Sequence, residues 1–217
     1  MTAGAHDAGA MLSLAAVLDG LAGIFSRPDG AARTRAEALL LDPRLGRPEL
    51  AEIVGPLREI AAAGDAGPGT EFVRLFQHGS PATAHPFESF YRTGYLMDAA
   101  CLRELNALFA SAGVRPREEG ALAPDHLAVE LEFLSLLLRG VSTSKAGSAG
   151  GRAVRRIASE LLQDHLLPFS RAFRARLELL RPGSTYAAAS AALAATLTIA
   201  GRWLESSTAD EGPAEPA

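Results

Sequence analysis

The stretch PDHLAVELEFLSLLLRG, residues 124–140, determines the fold class that this chain is expected to have. Pro124 and Asp125 suit the first turn of a helix, because proline needs no amide partner there and a carboxylate complements the helix dipole. The residues that follow recur at three- and four-residue intervals, which places apolar side chains on one helical face. The stretch therefore predicts a helix over residues 125–139. Its buried stripe consists of Leu127, Leu131, Leu134 and Leu138.

The same stretch carries two polar side chains that share a helix face, His126 and Glu130, since they lie four residues apart. A carboxylate one turn away can hold an imidazole in a single tautomer. Two interpretations stay open. In the first, the pair forms a polar recess at the N-terminal end of the helix that binds a peptide or ligand. In the second, the pair holds a loop in place beside Asp125, which caps the helix.

The remainder of the chain shows the same helical periodicity. Leu14, Leu18, Leu21 and Phe25 form one apolar face, and no stretch shows sustained β alternation. We therefore predict an all-α, single-domain bundle of about eight to nine helices. The predicted helices cover residues 11–25, 31–41, 50–63, 98–112, 125–139, 152–167, 169–180 and 186–204.

Composition sets the expected domain boundaries. Residues 1–10 and 206–217 are predicted to be disordered ends of a folded domain that spans residues 11–205. The Gly/Ser-rich segment 140–151 is predicted to be a flexible surface loop. Such a loop permits helix exchange between protomers, so a monomer and a domain-swapped dimer are both compatible with the sequence.

Charge and cysteine usage restrict the partners and the compartment. The net charge of −4 disfavours nucleic-acid binding, which usually needs a basic excess. The single cysteine, Cys101, excludes an internal disulfide, and the first ten residues resemble no export signal, so a cytoplasmic location is expected. Residues 183–201 carry no charge but consist mostly of Ala, Ser and Thr. We interpret them as a buried helix, and we expect no stable membrane insertion.

The chain lacks the common signatures of catalysis. Its five histidines form no paired metal-ligand spacing, Ser89 lies in no nucleophile elbow, and no phosphate-binding glycine loop is present. We therefore expect no enzyme activity, no metal and no cofactor. The alternative is a small helical metal-dependent hydrolase that uses the adjacent Asp125 and His126 together with Glu130.

Four segments, taken in order, resemble one known family. They are EFVRLFQHG, HPFESFYRTGYLMD, APDHLAVELEFLSLLL and LLQDHLLPFSRAFRARLE. The ordered set resembles the TorD/DmsD/NarJ family of redox-enzyme maturation chaperones, and the resemblance covers residues 12–204. Two departures are conservative: Phe87 stands where the family commonly has Tyr, and Phe169 where it commonly has Trp.

The resemblance implies an all-helical cytoplasmic chaperone for a molybdenum-containing oxidoreductase. Such proteins bind the N-terminal leader of the catalytic subunit, commonly a twin-arginine signal, and hold the enzyme back until its cofactor is inserted. The last segment contributes the matching positions His165 and Pro168. The residues that the resemblance assigns to binding the peptide or shaping the site are Glu71, Phe76, Pro86, Phe87, Glu88, Ser89, Tyr91, Pro124, Asp125, His126 and Glu130.

A receptor for a basic pair followed by an apolar segment needs carboxylates beside an apolar surface. Glu88 has two interpretations in this setting: it fixes its loop against His126, or it faces an arginine of the bound protein. We favour the first, because a carboxylate between proline and aromatic residues is more often buried and satisfied. The second and third segments are then expected to converge in space. Further candidate apolar walls are Phe90 and Phe133.

Overall fold

The structure, a computed structural model, describes residues 3–27, 31–63, 68–77, 83–115, 122–145 and 147–209. Most of these residues are helical, and among them there is one isolated β-bridge and no strand, so the predicted all-α class is confirmed. The helices are α1 (Ala3–Ser26), α2 (Ala32–Leu40), α3 (Ala51–Ala62), α4 (Pro68–Phe72), α5 (Glu88–Thr93), α6 (Ala99–Ser111), α7 (Leu127–Thr143), α8 (Ala149–Glu160), α9 (Leu167–Leu180) and α10 (Thr185–Ala209).

Helix α7 packs along α1 at the centre of the bundle. The four predicted leucines of α7 and the predicted α1 face of Leu14, Leu18, Leu21 and Phe25 are all buried. The Ser135 hydroxyl donates to the carbonyl of Ala15 at 3.0 Å, which satisfies a polar group inside this contact. The apolar periodicity of both segments is therefore explained by their mutual burial.

Helix α10 contains the uncharged segment and packs against α1, α3 and α9. Its small residues Ala189, Ala192 and Ala200 are buried at these contacts. Gly9–Ser26 and Thr185–Ser206 are both long and apolar enough to cross a membrane, but 61% of each window is buried inside the protein. That burial is typical of core helices, so the two segments are weak indicators of a membrane span.

A wide π-helical segment, Leu161–Leu166, joins α8 to α9 without a break. Pro168 lies in the first turn of α9. Within a continuous α-helix its ring would clash with the carbonyl four residues earlier and would remove a hydrogen bond. The π-helical turn precedes this point and faces Leu161, Leu162, His165 and Leu166 inward. If α8, the π-helical segment and α9 are counted as one continuous helix, the described residues contain nine helices. This agrees with the predicted eight to nine.

The predicted boundaries differ from the structure most clearly at the two ends and in the Gly/Ser-rich loop. Helix α1 begins at Ala3, so residues 3–10 are helical and not disordered, and α10 continues through residues 206–209. The predicted loop 140–151 is shorter, because α7 continues to Thr143 and α8 begins at Ala149. The predictions for residues 1–2, 146 and 210–217 lie outside the described residues, and the single-domain assignment stays a prediction.

Candidate functional site

The second and third sequence segments meet directly. The Glu88 amide donates to the carbonyl of Asp125 and the Leu127 amide donates to the carbonyl of Pro86, both at 2.8 Å. Phe87 and His126 form the isolated antiparallel bridge between these bonds, with their rings edge-on at 5.0 Å. We call this contact the junction. It joins the start of α5 to the start of α7, so the expected convergence of the two segments is observed.

The Glu88 carboxylate is buried at the junction and has three side-chain partners. His165 Nδ1 lies 3.1 and 3.0 Å from its two oxygens. The Cys101 thiol donates to Oε2 at 3.4 Å, and Arg92 Nη1 donates to Oε1 at 3.3 Å. The predicted role of Glu88 in fixing its loop is therefore observed, but with a different partner: the carboxylate contacts His165 and not His126. The π-helical segment supplies that histidine, 77 residues along the chain.

The partners of Glu88 are themselves fixed by their elements. Arg92 lies one turn after Glu88 on α5 and also donates to Glu104 Oε2 at 2.7 Å; that bond is the main reason why its pKa is raised. Cys101 lies in the first turn of α6, which Asp98 caps. Burial, followed by the nearby Glu88 charge, raises the pKa of the Cys101 thiol. The thiol is therefore a protonated hydrogen-bond donor to Glu88 and not a nucleophile.

Ser89 links the junction to an exposed turn. Its hydroxyl donates to Asp125 Oδ2 and accepts the Met97 amide at 2.9 Å. Met97 has a φ of +56°, which L residues with side chains rarely adopt, and this bond helps to hold it there. The turn projects Tyr95, Leu96 and Met97 into solvent, with exposed fractions of 75%, 48% and 61%. We call these three residues the apolar turn.

His126 is the N-cap of α7. Its Nδ1 accepts the Ala128 amide at 3.1 Å, so the helix begins at Leu127 and not at Asp125 as predicted. No hydrogen bond joins its ring to Glu130, and the predicted His–Glu pair is wrong. Burial lowers the pKa of His126 to about 4, so the imidazole is neutral at physiological pH. A neutral ring is required here, because a protonated Nδ1 cannot accept the amide proton.

We expect the burial of His126 to appear as a pH-dependent loss of stability. The unfolded ring takes a proton below its ordinary pKa of 6.5, whereas the folded ring resists protonation until about 4. Stability is therefore lost as the pH falls through this window. Relative to His126→Asn, which keeps a capping side chain, the wild-type chain should lose about 2 kcal/mol between about pH 7.5 and about pH 5. Denaturant titrations of both proteins measure this, and a difference that is constant with pH contradicts it.

Glu130 is fully buried one turn into α7, and neither of its carboxyl oxygens has a hydrogen-bond partner in the described part of the chain. Its pKa is raised well above the ordinary value of a glutamate, first by burial and then by the nearby charges of Glu88 and Asp125. The carboxyl groups of Glu88, Asp125 and Glu130 therefore lie near one another inside the protein. Direct contact of these three carboxyl groups with a bound arginine does not fit their burial, because none of the three faces solvent.

The remaining predicted residues lie in several other places. Phe76 belongs to an aromatic cluster with Phe25, Phe72, Phe173 and Tyr186, and its ring stacks on that of Phe173 at 6.0 Å. Tyr91 packs its ring against Phe169 at 5.5 Å and Phe173 at 6.2 Å, which connects this cluster to the junction. Burial raises the pKa of the Tyr91 hydroxyl, which has no hydrogen-bond partner among the described residues.

Glu71 does not join the junction: it forms an ion pair with Arg181, at 3.6 Å, beyond the end of α9. Pro124 is half-buried in the turn before α7. Phe133 is buried against Phe109, with ring centroids 4.4 Å apart, so it is a core residue and not a wall for a ligand. The structure therefore groups Pro86, Phe87, Glu88, Ser89, Asp125 and His126, and separates Glu71 and Phe76 from them.

Three residues that contribute to the junction were absent from the predicted set: Arg92, Cys101 and His165. The spacing of Arg92, four residues after Glu88, was a local signal for a shared helix face. His165 lay within a segment that carried the family resemblance, but local periodicity does not identify its partner. Among the described residues, no group of three or more His, Cys, Asp or Glu side chains is arranged to hold a metal ion. The alternative of a metal-dependent hydrolase is thus unsupported.

Known proteins resemble the chain in sequence and in structure. The family described as nitrate reductase delta subunit matches residues 41–175. A selenate reductase assembly chaperone protein from Thauera selenatis is 30% identical over 159 residues, which cover 73% of each sequence. A solved structure from Archaeoglobus fulgidus, provisionally described as a redox enzyme maturation protein, is 22% identical with a TM-score of 0.46, over 89% of this chain and 93% of the other.

The family match spans more than half of the chain and includes the whole junction, from the Pro86 turn through the capped start of α7 to the π-helical segment that carries His165. The assembly chaperone is similar over a comparable share of the sequence. These matches agree with the resemblance carried by the four sequence segments. The chain belongs to the nitrate reductase delta subunit family, among the TorD/DmsD/NarJ-like redox-enzyme maturation chaperones.

Proposed function

We propose that this protein is a cytoplasmic, non-catalytic chaperone that binds the N-terminal leader of a molybdenum-cofactor oxidoreductase subunit. The leader is a twin-arginine signal, and binding assists cofactor insertion and assembly before export. The protein itself needs no cofactor for this role. Membership of a redox-enzyme maturation family supports the proposal, as does the similarity to a selenate reductase assembly chaperone.

The apolar turn is the observation that carries the proposal. The buried polar side chains of the junction do not reach solvent, but through Ser89 they hold the backbone of this turn. The turn exposes three large apolar residues side by side, which a chain without an apolar partner seldom does. The junction therefore acts as a rigid support for a contact surface, and the apolar part of a leader peptide is a fitting occupant.

The energetics favour a peptide of moderate affinity. Burial of apolar surface contributes roughly 25 cal/mol per Å², and much of that is offset by the loss of peptide freedom on binding. A turn that is already held in position limits the ordering cost on the chaperone side. We accordingly expect micromolar or tighter binding once charge pairing adds to the apolar contact.

Replacing the apolar turn should weaken leader binding without affecting the fold. The tagged chain is purified from its native host, the co-purifying molybdoenzyme subunit is identified by mass spectrometry, and its leader peptide is titrated calorimetrically. We expect the triple variant Tyr95→Ser, Leu96→Ser, Met97→Ser to lose at least about tenfold in affinity, which corresponds to about 1.4 kcal/mol. The expected reason is the loss of apolar burial.

The matched control is the double variant Leu41→Ser, Leu179→Ser, which removes two leucines that are at least as exposed elsewhere on the surface. It should bind the leader as the wild-type chain does. Unchanged affinity of the triple variant would remove the apolar turn from the binding surface. Absence of a molybdoenzyme subunit from the eluate would contradict the proposed function itself.

A further inference from the structure

Two hydroxyl groups of α5 hold the backbone of the apolar turn. The Thr93 hydroxyl donates to the carbonyl of Ser89 at 3.0 Å and accepts the amide of Tyr95 at 3.3 Å. The Ser89 hydroxyl, one helical turn earlier, accepts the amide of Met97 at 2.9 Å. The first and the last amide of the apolar turn are therefore both bound by side chains of α5. Thr93 belongs neither to the junction nor to the predicted site residues.

The backbone on either side of the apolar turn is also fixed. Gly94 has a φ of +82°, and its amide donates to the carbonyl of Phe90 at 2.9 Å, which closes the end of α5. After the turn, the Asp98 side chain caps the start of α6. Between these two points Met97 adopts a left-handed conformation that is unfavourable for a residue with a side chain. Without its hydrogen bonds, the turn therefore has other backbone conformations of lower energy available.

The two hydroxyl groups differ in burial. Ser89 is fully buried and also donates to Asp125, so its replacement would disturb the junction as well as the turn. Thr93 lies on the exposed side of α5, and the junction contacts do not involve its side chain. Valine has nearly the same β-branched shape as threonine but no hydroxyl. Thr93 therefore allows the support of the turn to be removed while the support of the fold is kept.

We infer that Thr93 is a positioning residue for leader binding. Its hydroxyl holds the Tyr95 amide, so that the apolar turn has its binding conformation before the peptide arrives. The inference deepens the proposed function, on which it rests for the identity of the peptide. A surface that is ordered in advance loses less conformational freedom when it binds, and the saved free energy appears as affinity.

The test compares two substitutions of Thr93 in the full chain, with the leader peptide of the co-purified subunit as the probe. Thr93→Val, which loses the hydroxyl, should weaken binding by about three- to tenfold, the effect of losing one hydrogen bond of ordinary strength. Thr93→Ser, which keeps the hydroxyl and loses the methyl group, should bind the peptide as the wild-type chain does. The opposite order, with Thr93→Ser weakened and Thr93→Val unchanged, would show a direct methyl contact and overturn the positioning role.

The matched control is Thr198→Val on α10. Thr198 is exposed, and its hydroxyl donates to the carbonyl of Ala194 at 2.8 Å, the same four-residue bond that Thr93 makes to Ser89. The two valine variants therefore change helix propensity and local hydrogen bonding in the same way. Thr198→Val should bind the leader peptide with wild-type affinity, and an equal loss of affinity in both variants would overturn the inference.

A second measurement needs no peptide. Amide hydrogen exchange in the free chain, followed by NMR, reports how firmly each amide is held. The Tyr95 amide should exchange roughly threefold faster or more in Thr93→Val than in the wild-type chain, because it loses its acceptor. The Ala100 amide, which Asp98 binds at 3.0 Å, should exchange at an unchanged rate and serves as the internal reference. An unchanged rate for Tyr95 would show that the hydroxyl does not hold the turn and would overturn the inference.

The outcomes separate this inference from the proposed function. Leader binding by the wild-type chain together with equal affinity of Thr93→Val would overturn the positioning role and leave the leader chaperone standing. Absence of leader binding by the wild-type chain would overturn the proposed function, and the positioning role with it. Faster exchange of the Tyr95 amide together with weaker leader binding, both restored in Thr93→Ser, is the result that supports the inference.

Discussion

The variant Glu88→Ala is expected to lower the free energy of unfolding by about 2–6 kcal/mol, because two buried polar groups lose their partner and each such loss costs about 1–3 kcal/mol. Glu88 contacts His165, Cys101 and Arg92 inside the junction. Its loss leaves the buried His165 Nδ1 and the Cys101 thiol without this partner, whereas Arg92 keeps its bond to Glu104. Chemical denaturation followed by circular dichroism measures the change. The control Glu178→Ala removes an exposed carboxylate and should cost less than about 1 kcal/mol.

Glu88→Gln distinguishes the two interpretations of this residue. The amide keeps the size of the side chain and one acceptor oxygen, so its cost in stability should be smaller than that of the alanine variant. If Glu88 only fixes its loop and does not contact the leader peptide, the folded fraction of Glu88→Gln binds that peptide with wild-type affinity. Reduced affinity with unchanged stability would indicate that Glu88 contacts the leader peptide, and it would contradict a purely structural role.

The second large effect is expected at Glu130, and its sign depends on pH. The folded carboxyl group has a raised pKa and keeps its proton where the unfolded group, with an ordinary pKa of 4.5, releases it. The folded state then binds more protons, so stability is lost as pH rises from about 4.5 toward the folded pKa. Glu130→Gln does not titrate. It should be more stable than the wild-type chain at about pH 8, with a difference that grows by up to about 1.4 kcal/mol per pH unit.

Both proteins retain His126, whose contribution to stability changes with pH in the opposite direction. Taking the difference between their free energies of unfolding at each pH cancels that contribution. At about pH 4 the buried acid and the amide are both neutral, so their stabilities should nearly coincide. The matched control is Glu132→Gln on the exposed face of α7, which should show no pH-dependent difference. A wild-type chain that stays as stable as Glu130→Gln up to about pH 8 would show that Glu130 finds a partner for its charge.

Local periodicity was sufficient to predict the long helices and their buried faces, but not the short helix α5. The leucines of α7 and the apolar face of α1 follow from spacing alone, because one helical face must be buried wherever the core lies. The boundaries were less predictable. Gly140 and the residues after it have the composition of a linker, yet α7 continues to Thr143, where backbone hydrogen bonds and packing against α8 outweigh the low propensity of glycine.

The candidate site was predicted only in part, because its contacts are distant in sequence. That the Pro86–Ser89 loop meets the start of α7 was expected, but the partner of Glu88 was assigned to His126, which is closer in sequence than His165. Nothing in the spacing of residues 161–166 indicates a π-helical turn that aims His165 inward.

The packing of α1 against α7 also has a consequence for synthesis of the chain. The Ser135 bond to Ala15 spans 120 residues, and α10, which covers α1 and α3, is made last. At about 5–20 residues per second, the apolar face of α1 leaves the ribosome on the order of 6–24 s before its partner helix. Contacts of such high sequence separation also slow the search for the native topology. A protein that chaperones others thus passes through an interval in which its own first helix needs protection from aggregation.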